Sequence, residues 1–290
     1  MMKFSIIIVN YRSWKPLRKC LDSIINQGVN SEIVVVDNEN NINENKKIKN
    51  EYYSVKFLSN KENVGFSKAC NQGAEISKNE WILFLNPDTI LPENCLIKLS
   101  KKIINNKNDI IGIKQVDKNS IDNHAYGIFL NIFTFSGALR FFYRLITKQT
   151  KKNNSKKREF RPDWISGSFL LISRFNFFKI GGWDENFWMY YEDMDLCKRA
   201  SKIGIKTIFY NDIHCIHYHG LSSRIDYETK VTCKSQVIIS SFLYINKHFS
   251  NLHKFFLINA MKLSIYLELI LLCPFSKTKR SILKKLYINR

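Results

Sequence analysis

The chain has 290 residues, 45% of them hydrophobic, and a formal net charge of +20. This length suits one large domain or a domain with an appendage, and the hydrophobic content excludes disorder as the main state. The charge indicates an anionic partner: a nucleic acid, a phosphorylated small molecule or an acidic membrane surface. Seven cysteines without a CxxC pair indicate reduced thiols in a cytosolic protein, not a disulfide framework or zinc cluster.

Strand and helix patterns alternate over the first hundred residues. Nearly continuous apolar runs predict strands at 4–10, 32–38, 55–60 and 81–86, and helical patterns lie at 14–26 and 65–77. Such runs indicate strands that are covered on both faces. The sequence therefore predicts an α/β fold with a doubly wound, mostly parallel sheet flanked by helices. Further strands are expected at 163–174 and 205–210, with a helix between them.

Polar side chains follow each of the first four predicted strands. In parallel sheets ligands bind outside the carboxyl ends of the strands, so these residues are candidates for a binding site. Turn chemistry explains any one pair alone, but four in succession favour a site. No GxGxxG or P-loop sequence occurs, which does not support a dinucleotide or P-loop site. The pairs are Asn10 and Tyr11, Asp37 and Asn38, Asn60 and Asn63, and Asn86 and Asp88.

The stretch WILFLNPD, at 81–88, places a carboxylate behind a proline at a strand end. Pro87 cannot donate to a sheet ladder, so the strand should end there and Asp88 should project into the crevice. A carboxylate in that position can hold a hard cation that also binds substrate phosphates. The alternative is a turn in which Asp88 is the local acceptor.

Glu192 and Asp193 begin the helix predicted after the second half of the sheet. Asp193 falls on the same helical face as Cys197 and Ala200, whereas Asp195 and Arg199 are expected at the side. The helix dipole stabilises an anion in the first turn, which suits a general base. The alternative is a helix N-cap.

Three histidines, His214, His217 and His219, lie within six residues. In an extended segment His217 and His219 share one face and His214 takes the other, so either a metal site or an unliganded strand edge fits. The aromatic residues around Trp164 and Gly167 suit either sugar stacking or a core.

The ordered series of segments from Lys3 to about Ser223 resembles the inverting glycosyltransferases of family 2, which have the GT-A fold, and particularly their rhamnosyltransferase-like branch. The segments that carry the resemblance are SIIIVNYRSWKPLRKCLDSI, VVVDNEN, NVGFSKACNQG, FLNPD, WISGSFLLISR, GGWDENFWMYYEDMDLCKRA and HYHGLSS.

The resemblance implies a role for each matching residue. Asp88 matches the last position of the metal-binding DxD element, whose first position is Asn86 here, and His217, in preference to His219, would complete the metal site. Asp193 falls on the ED motif as the catalytic base. Asp37 would contact the nucleotide base, and the donor site would also include Asn10, Tyr11, Asn38, Asn63, Gly65, Phe66, Asn71 and Asn86. Trp164, Gly167 and Glu192 would lie near the acceptor.

The resemblance also implies the reaction. A nucleotide diphosphate sugar, with dTDP-rhamnose the first choice and UDP-hexoses open, would donate its sugar to a glycan or a lipid-linked glycan with Mg²⁺ or Mn²⁺ bound. The rival interpretation is a basic, non-enzymatic protein that binds nucleic acid or nucleotide. It predicts salt-dependent oligonucleotide binding, although no nucleic-acid module is recognisable, so no nucleic-acid partner is expected.

The chain is predicted to divide into a catalytic domain at 1–235 and a C-terminal helical segment at 236–290. Residues 255–273 form an apolar stretch as long as a membrane span, interrupted by Lys262 and Glu268 and followed by basic residues. This pattern favours a helix lying in the membrane interface or packed against a partner, with an intramolecular helix as the alternative. We expect a cytoplasmic protein, peripheral on the cytoplasmic face of the membrane, and leave a homodimer open. The basic run at 148–161 is either a solvated loop or a phosphate- or lipid-facing one.

Overall fold

The structure is a computed structural model that describes residues 2–104, 106–123, 125–131, 157–218, 220 and 225–288. The described residues fall into two compact units. The first draws on Met1–Ile128, Lys157–Trp188 and Glu192–Ser222, and the second on Phe129–Lys156, Met189–Tyr191 and Ser223–Arg290. The division at residue 235 stays a prediction. His219 and residues 148–156 of the basic run lie outside the described residues.

The first unit begins with four parallel strands in the order β3-β2-β1-β4. The four predicted strands and the two predicted helices are confirmed, the strand at 4–10 with the predicted ends and the others with ends shifted by one or two residues. The elements are β1 (Phe4–Asn10), α1 (Trp14–Ile25), β2 (Ser31–Asp37), α2 (Ile42–Glu51), β3 (Val55–Ser59), α3 (Phe66–Glu75) and β4 (Trp81–Leu85).

The sheet continues from β4 in the order β10-β6-β11-β5, and β8 pairs with β11. Six of the nine strands in this sheet run in one direction, whereas β5, β8 and β10 run the opposite way. β7 and β9 form a separate pair. The elements are β5 (Thr89–Ile90), α4 (Cys95–Ile103), β6 (Ile110–Val116), β7 (Tyr126–Gly127), β8 (Glu159–Phe160), β9 (Trp164–Ile165), β10 (Phe169–Ser173), α5 (Arg174–Ile180), α6 (Glu192–Lys202) and β11 (Thr207–His217).

The sheet is covered on both faces, as the apolar runs predict. Ile6 and Ile8 of β1 pack into the main core with Leu17 and Leu21 of α1. On the other face α3 lies close to β1, because a Cβ added at Gly73 would come within 2.5 Å of Ile7. All five residues of β4 are buried.

The parallel strands end at one edge of the sheet. Asn10 at the end of β1 pairs in register with Asp37 of β2, and Asp37 pairs with Ser59 of β3. β6 and β11 run the same way as β4, so they bring Gln115 and His217 to that edge. Side chains from six parallel strands therefore meet where ligands bind in such sheets.

The second unit contains three described helices. They are α7 (Tyr227–His248), α8 (Asn251–Leu272) and α9 (Lys277–Ile288). α8 and α9 pack against α7 and against each other, with Val231, Leu269 and Ile282 at the centre of their apolar contact. The predicted C-terminal helical appendage is confirmed. Among the described residues, α8 alone is long and apolar enough to cross a membrane, by length and composition only.

Candidate active site

Two buried polar residues, Asn10 and Asp37, lie at the ends of β1 and β2. Oδ1 of Asp37 accepts the backbone N–H of Glu39 at 2.9 Å, and Oδ2 accepts the Asn45 side-chain amide at 2.6 Å. Oδ1 of Asn10 accepts the N–H of Ser13 at 3.3 Å, while its Nδ2 has no hydrogen-bond partner among the described atoms. An unsatisfied buried amide at a strand end is a donor that a ligand can use.

Asn38 ties the end of β2 to the loop before α3. Its Nδ2 donates to Oδ1 of Asn63 at 3.2 Å and to the carbonyl of Gly65 at 3.1 Å. Its Oδ1 accepts from Asn60 at 2.8 Å, and Asn63 in turn accepts the N–H of Gly65 at 3.1 Å. These hydrogen bonds fix the path of the chain that leads into the N-terminus of α3.

Gly65 is required by its surroundings. Its φ is +89°, a conformation that other residues rarely adopt, and an added Cβ would lie 2.6 Å from the Trp188 ring. The next N–H, that of Phe66, donates to the carbonyl of Trp188 at 2.7 Å. A Cβ at Gly167 would also sit within 3.3 Å of the Phe66 ring. The structure thus brings the predicted donor residues Gly65 and Phe66 beside the predicted acceptor residue Gly167.

Asn71 and Tyr11 are engaged with neighbouring groups. Asn71 donates to the Trp183 carbonyl at 2.8 Å and accepts the Trp183 N–H at 2.9 Å, so it holds the loop before α6 against α3. Tyr11 is half-buried, with the Arg12 guanidinium 5.2 Å from its ring centre. Their assignment to the donor site stays a prediction.

Asp88 is 1% exposed, so its carboxylate is closed off from solvent in the folded chain, and its predicted place in the crevice stays a prediction. The chain turns at Pro87 and Asp88 and then forms β5, where Thr89 pairs with His217 of β11. This pairing places Oδ1 of Asp88 3.2 Å from Nε2 of His217. His214, on the other side of β11, is exposed, which confirms that the two histidines take opposite faces.

Gln115, which sequence reasoning missed, sets the tautomer of His217. Its Oε1 lies 2.8 Å from Nδ1 of His217 and also accepts the Ser168 hydroxyl at 2.9 Å. Because a carboxamide oxygen only accepts, Nδ1 carries a proton, and in the neutral ring Nε2 then presents its lone pair. Nε2 faces Asp88 and the Asn86 amide, which lies at 3.3 Å.

The surroundings of Asp88 fit a divalent cation. Neither carboxylate oxygen has a hydrogen-bond donor among the described residues, and a buried charge without such compensation is costly. A carboxylate that faces an imidazole lone pair is relieved by a cation bound to both. No group of three or more His, Cys, Asp or Glu side chains that could hold a metal ion occurs in the described parts of the chain. Water and substrate phosphate oxygens would have to complete such a site, as Mg²⁺ commonly requires.

Two adjacent acids open α6. Glu192 is buried, and burial together with the neighbouring Asp193 raises its pKa well above the ordinary value. Burial raises the pKa of Asp193 to about 6, although backbone N–H groups of Met194 and Gly167, at 2.7 Å and 3.4 Å, oppose the shift. Desolvation therefore outweighs the predicted stabilisation by the helix dipole. At pH 7 roughly nine in ten Asp193 side chains are still ionised.

Asp195 does not lie at the side of α6 as predicted. It is fully buried and forms an ion pair with Arg199 at 2.8 Å. The Arg199 guanidinium also donates to the carbonyls of Ile180 and Gly182, both at 2.7 Å. This pair anchors α6 to the loop after α5, and its role is therefore structural.

A chain of contacts joins Asp88 to Asp193. Asp88 lies beside His217, which contacts Gln115, and Gln115 accepts from Ser168. The next residue back, Gly167, donates its N–H to Asp193 at 3.4 Å. The Ser168 carbonyl also accepts the N–H of Asn86 at 3.1 Å. The two acids thus approach the same short segment before β10.

Trp164, at the start of β9, is half-buried. Its Nε1 donates to the Ile128 carbonyl at 3.0 Å, and its ring packs against Gly127, where an added Cβ would lie 2.7 Å away. The acceptor roles of Trp164, Gly167 and Glu192 stay predictions.

Comparisons with known proteins identify the family and its relatives. The family model described as glycosyl transferase family 2 matches residues 5–171. Rhamnosyltransferase WbbL of Escherichia coli K12 is 26% identical over 222 residues, covering 73% of this chain and 82% of WbbL. A 63-residue stretch is 38% identical to N-acetylglucosaminyl-diphospho-decaprenol L-rhamnosyltransferase of Mycobacterium tuberculosis, covering 22% of this chain and 20% of that protein.

The fold is similar to that of a solved glycosyltransferase. A crystal structure of GalNAc-T7 with UDP, GalNAc and Mn²⁺ superposes with a TM-score of 0.57 at 18% identity, covering 75% of this chain. This chain spans only 43% of the GalNAc-T7 chain. The predicted GT-A-type sheet flanked by helices is confirmed.

Proposed function

The chain belongs to glycosyl transferase family 2, and we propose that it transfers a sugar from a nucleotide diphosphate sugar to a hydroxyl group of a cell-surface glycan or a lipid-linked oligosaccharide precursor. The observation that carries the proposal is the contact chain between Asp88 and Asp193 at the carboxyl edge of the sheet. One acid stands beside an imidazole lone pair, and the other has a pKa of about 6. The first arrangement suits a cation that binds a diphosphate leaving group, and the second suits a base that deprotonates an incoming alcohol.

The donor is proposed to bind along the ends of β1, β2 and β4. The unsatisfied Nδ2 of Asn10 supports this placement, as does the network of Asn38, Asn63 and Gly65. The similarity to WbbL, a rhamnosyltransferase, favours dTDP-rhamnose over UDP-hexoses.

Asp88 and Nε2 of His217 are proposed to hold Mg²⁺ or Mn²⁺. When bound, the ion would neutralise the diphosphate and make it a better leaving group. Gln115 accepts a hydrogen bond from Nδ1–H, which leaves Nε2 unprotonated in the neutral ring. Asn86 directs its amide towards the same nitrogen.

Asp193 is proposed to remove the proton from the acceptor hydroxyl as its oxygen attacks the anomeric carbon. Attack from the face opposite the diphosphate is a single displacement, so the configuration inverts. A positioned base typically contributes about 10²–10⁴-fold, and alignment of the two substrates supplies much of the rest. Glu192, with its raised pKa, favours the protonated form and could donate a hydrogen bond to the acceptor. Trp164 and Gly167 would complete the acceptor side.

The test separates donor binding from turnover. Thermal-shift titrations of dTDP-rhamnose and UDP-hexoses, with and without Mn²⁺, identify the donor, because a ligand that binds the folded state raises the melting temperature. Asp88→Asn should abolish the Mn²⁺-dependent shift. Asp193→Asn should keep the shift and lose about 10²-fold or more in transfer to a lipid-linked glycan fraction. Glu93→Gln, an exposed acid in the first unit, is the matched control. Full transfer by either aspartate variant contradicts the proposal.

We also propose that the reaction takes place at the cytoplasmic face of a membrane, where a lipid-linked acceptor would be found. The mycobacterial relative is named for a decaprenol-linked substrate, which supports an acceptor of that class here.

A further inference from the structure

One face of α8 is an exposed apolar ridge, formed by Leu252, Phe255, Phe256, Leu263, Leu267 and Ile270. Each of these side chains is between 50% and 67% exposed. At 100° per residue they fall within one stripe that follows the helix for about 27 Å. Exposed Asn259 also falls in this stripe, with its amide donating to the Phe255 carbonyl at 2.9 Å. Soluble surfaces rarely expose this many large apolar side chains along one helix face.

The opposite face of α8 is occupied. Leu257, Met261 and Leu269 are buried, and Leu269 packs in one cluster with Val231 of α7 and Ile282 of α9. Glu268 also lies away from the ridge, where it accepts a hydrogen bond from Lys279 of α9. Lys262 lies on the flank of the helix, so the ridge itself carries no charge.

The segment that contains α8 and α9 is strongly basic. Residues 251–288 contain one acid, Glu268, and seven bases: Lys254, Lys262, Lys277, Lys279, Arg280, Lys284 and Lys285. An uncharged ridge on a strongly basic group of helices is complementary to a bilayer that has an apolar interior and anionic headgroups.

We infer that the ridge inserts into the surface of an anionic lipid bilayer, so that α8 of the second unit lies parallel to the membrane plane. A membrane-spanning α8 would have to leave α7 and α9 and carry Lys262 into the hydrocarbon. A second copy of this chain on the ridge would bring two sets of basic residues together. Membrane binding by the ridge does not depend on the proposed function. Only its consequence, a lipid-linked acceptor, rests on that proposal. Vesicle binding itself needs neither donor nor acceptor.

The first test is co-sedimentation of the full chain with vesicles. We expect binding to vesicles with about one third phosphatidylglycerol and weaker, salt-insensitive binding to pure phosphatidylcholine. Leu263→Gln/Leu267→Gln should weaken binding about tenfold or more, because two leucine side chains no longer leave water. Phe175→Gln, which changes an exposed aromatic side chain of the first unit, should not change it. Lys277→Gln/Lys284→Gln should reduce the preference for phosphatidylglycerol.

A second measurement distinguishes lying from crossing. Tryptophan placed at Leu252, Leu263 or Ile270 should be quenched equally by lipids brominated at a shallow acyl position. If tryptophan at residue 263 were quenched from deeper acyl positions than tryptophan at residues 252 and 270, α8 would span the bilayer and the inference would be overturned. The inference would also be overturned if the wild-type chain bound neither kind of vesicle, or if it formed a dimer that the leucine substitutions dissociate. Donor-induced thermal shifts, measured on the same proteins, report the proposed function separately.

Discussion

Asp193→Asn should inactivate the protein and yet make its stability less sensitive to pH. Burial raises the pKa of Asp193 from 3.8 in a model peptide to about 6 in the folded chain. Between these values the folded state binds more protons than the unfolded state, so the free energy of unfolding falls as the pH rises. Asparagine does not titrate, so the substitution removes this loss.

The size of the effect follows from the two pKa values. A shift of about two units corresponds to about 3 kcal/mol at a pH above both values. Part of this loss has already occurred at pH 5, since the unfolded carboxyl ionises below that pH. The remaining change between pH 5 and pH 8 is about 1.4 kcal/mol. Relief of the repulsion between Asp193 and Glu192 adds to it, because Asp193 helps to raise the pKa of Glu192.

Urea unfolding followed by tryptophan fluorescence is the assay. All five tryptophans, Trp14, Trp81, Trp164, Trp183 and Trp188, belong to the first unit. The quantity to compare is the change in unfolding free energy from pH 5 to pH 8, which cancels any pH-independent effect of the substitution.

The variant should retain at least about 1.4 kcal/mol more stability than the wild type over this interval. Glu93→Gln, at an exposed position, should follow the wild type. Equal changes in wild type and Asp193→Asn would refute the burial argument.

Three further substitutions test particular contacts. Gln115→Leu should weaken Mn²⁺-dependent donor binding about 10–100-fold in Mn²⁺ titrations, whereas Gln115→Glu keeps the acceptor and should stay within a few-fold; equal losses would contradict the tautomer argument. Gly65→Ala places a Cβ 2.6 Å from a tryptophan ring and should cost about 1–3 kcal/mol more than Gly204→Ala, where nothing lies within 4 Å. Urea unfolding compares them, and equal costs would remove the clash. Arg199→Met takes the ion-pair partner from the fully buried carboxylate of Asp195 and should cost about 3–5 kcal/mol by urea unfolding, whereas a cost below 1 kcal/mol would show a weak pair.

Much of the fold follows from local sequence signals. The strand WILFL is apolar throughout, and β1 and β2 each contain a run of apolar residues, because helices cover both faces of the sheet. That pattern is visible without a structure. The two histidine faces of β11 follow from strand alternation. Asp193 could be placed on the inward side of α6 because its spacing from Cys197 and Ala200 is helical.

Other features depend on pairings that are distant in sequence. β6, which contains Gly112 and Lys114, lacks a continuous apolar run, and its place beside β10 and β11 is set only by the folded sheet. Gln115 acquires its role because β6 and β11 bring it to His217, 102 residues away. The burial of Asp88 likewise depends on the pairing of β5 with β11. No local pattern contains these contacts.

The helix position of Asp195 shows a different limit. Its burial is compatible with charge because it pairs with Arg199, which is itself held by the carbonyls of Ile180, at the end of α5, and Gly182. Helical periodicity gives the direction of a side chain but not the partner that the rest of the chain supplies.

The central claim is that Asp88 and Asp193 act on one substrate complex from two sides. A crystal structure of the chain with Mn²⁺ and the donor's nucleoside diphosphate, using anomalous scattering to locate the metal, tests it most directly. We predict one manganese peak in contact with the Asp88 carboxylate, Nε2 of His217 and the diphosphate, with the Asp193 carboxylate facing the open space next to the terminal phosphate. A manganese ion bound elsewhere, or an Asp193 side chain that points away from the nucleotide, would contradict the account.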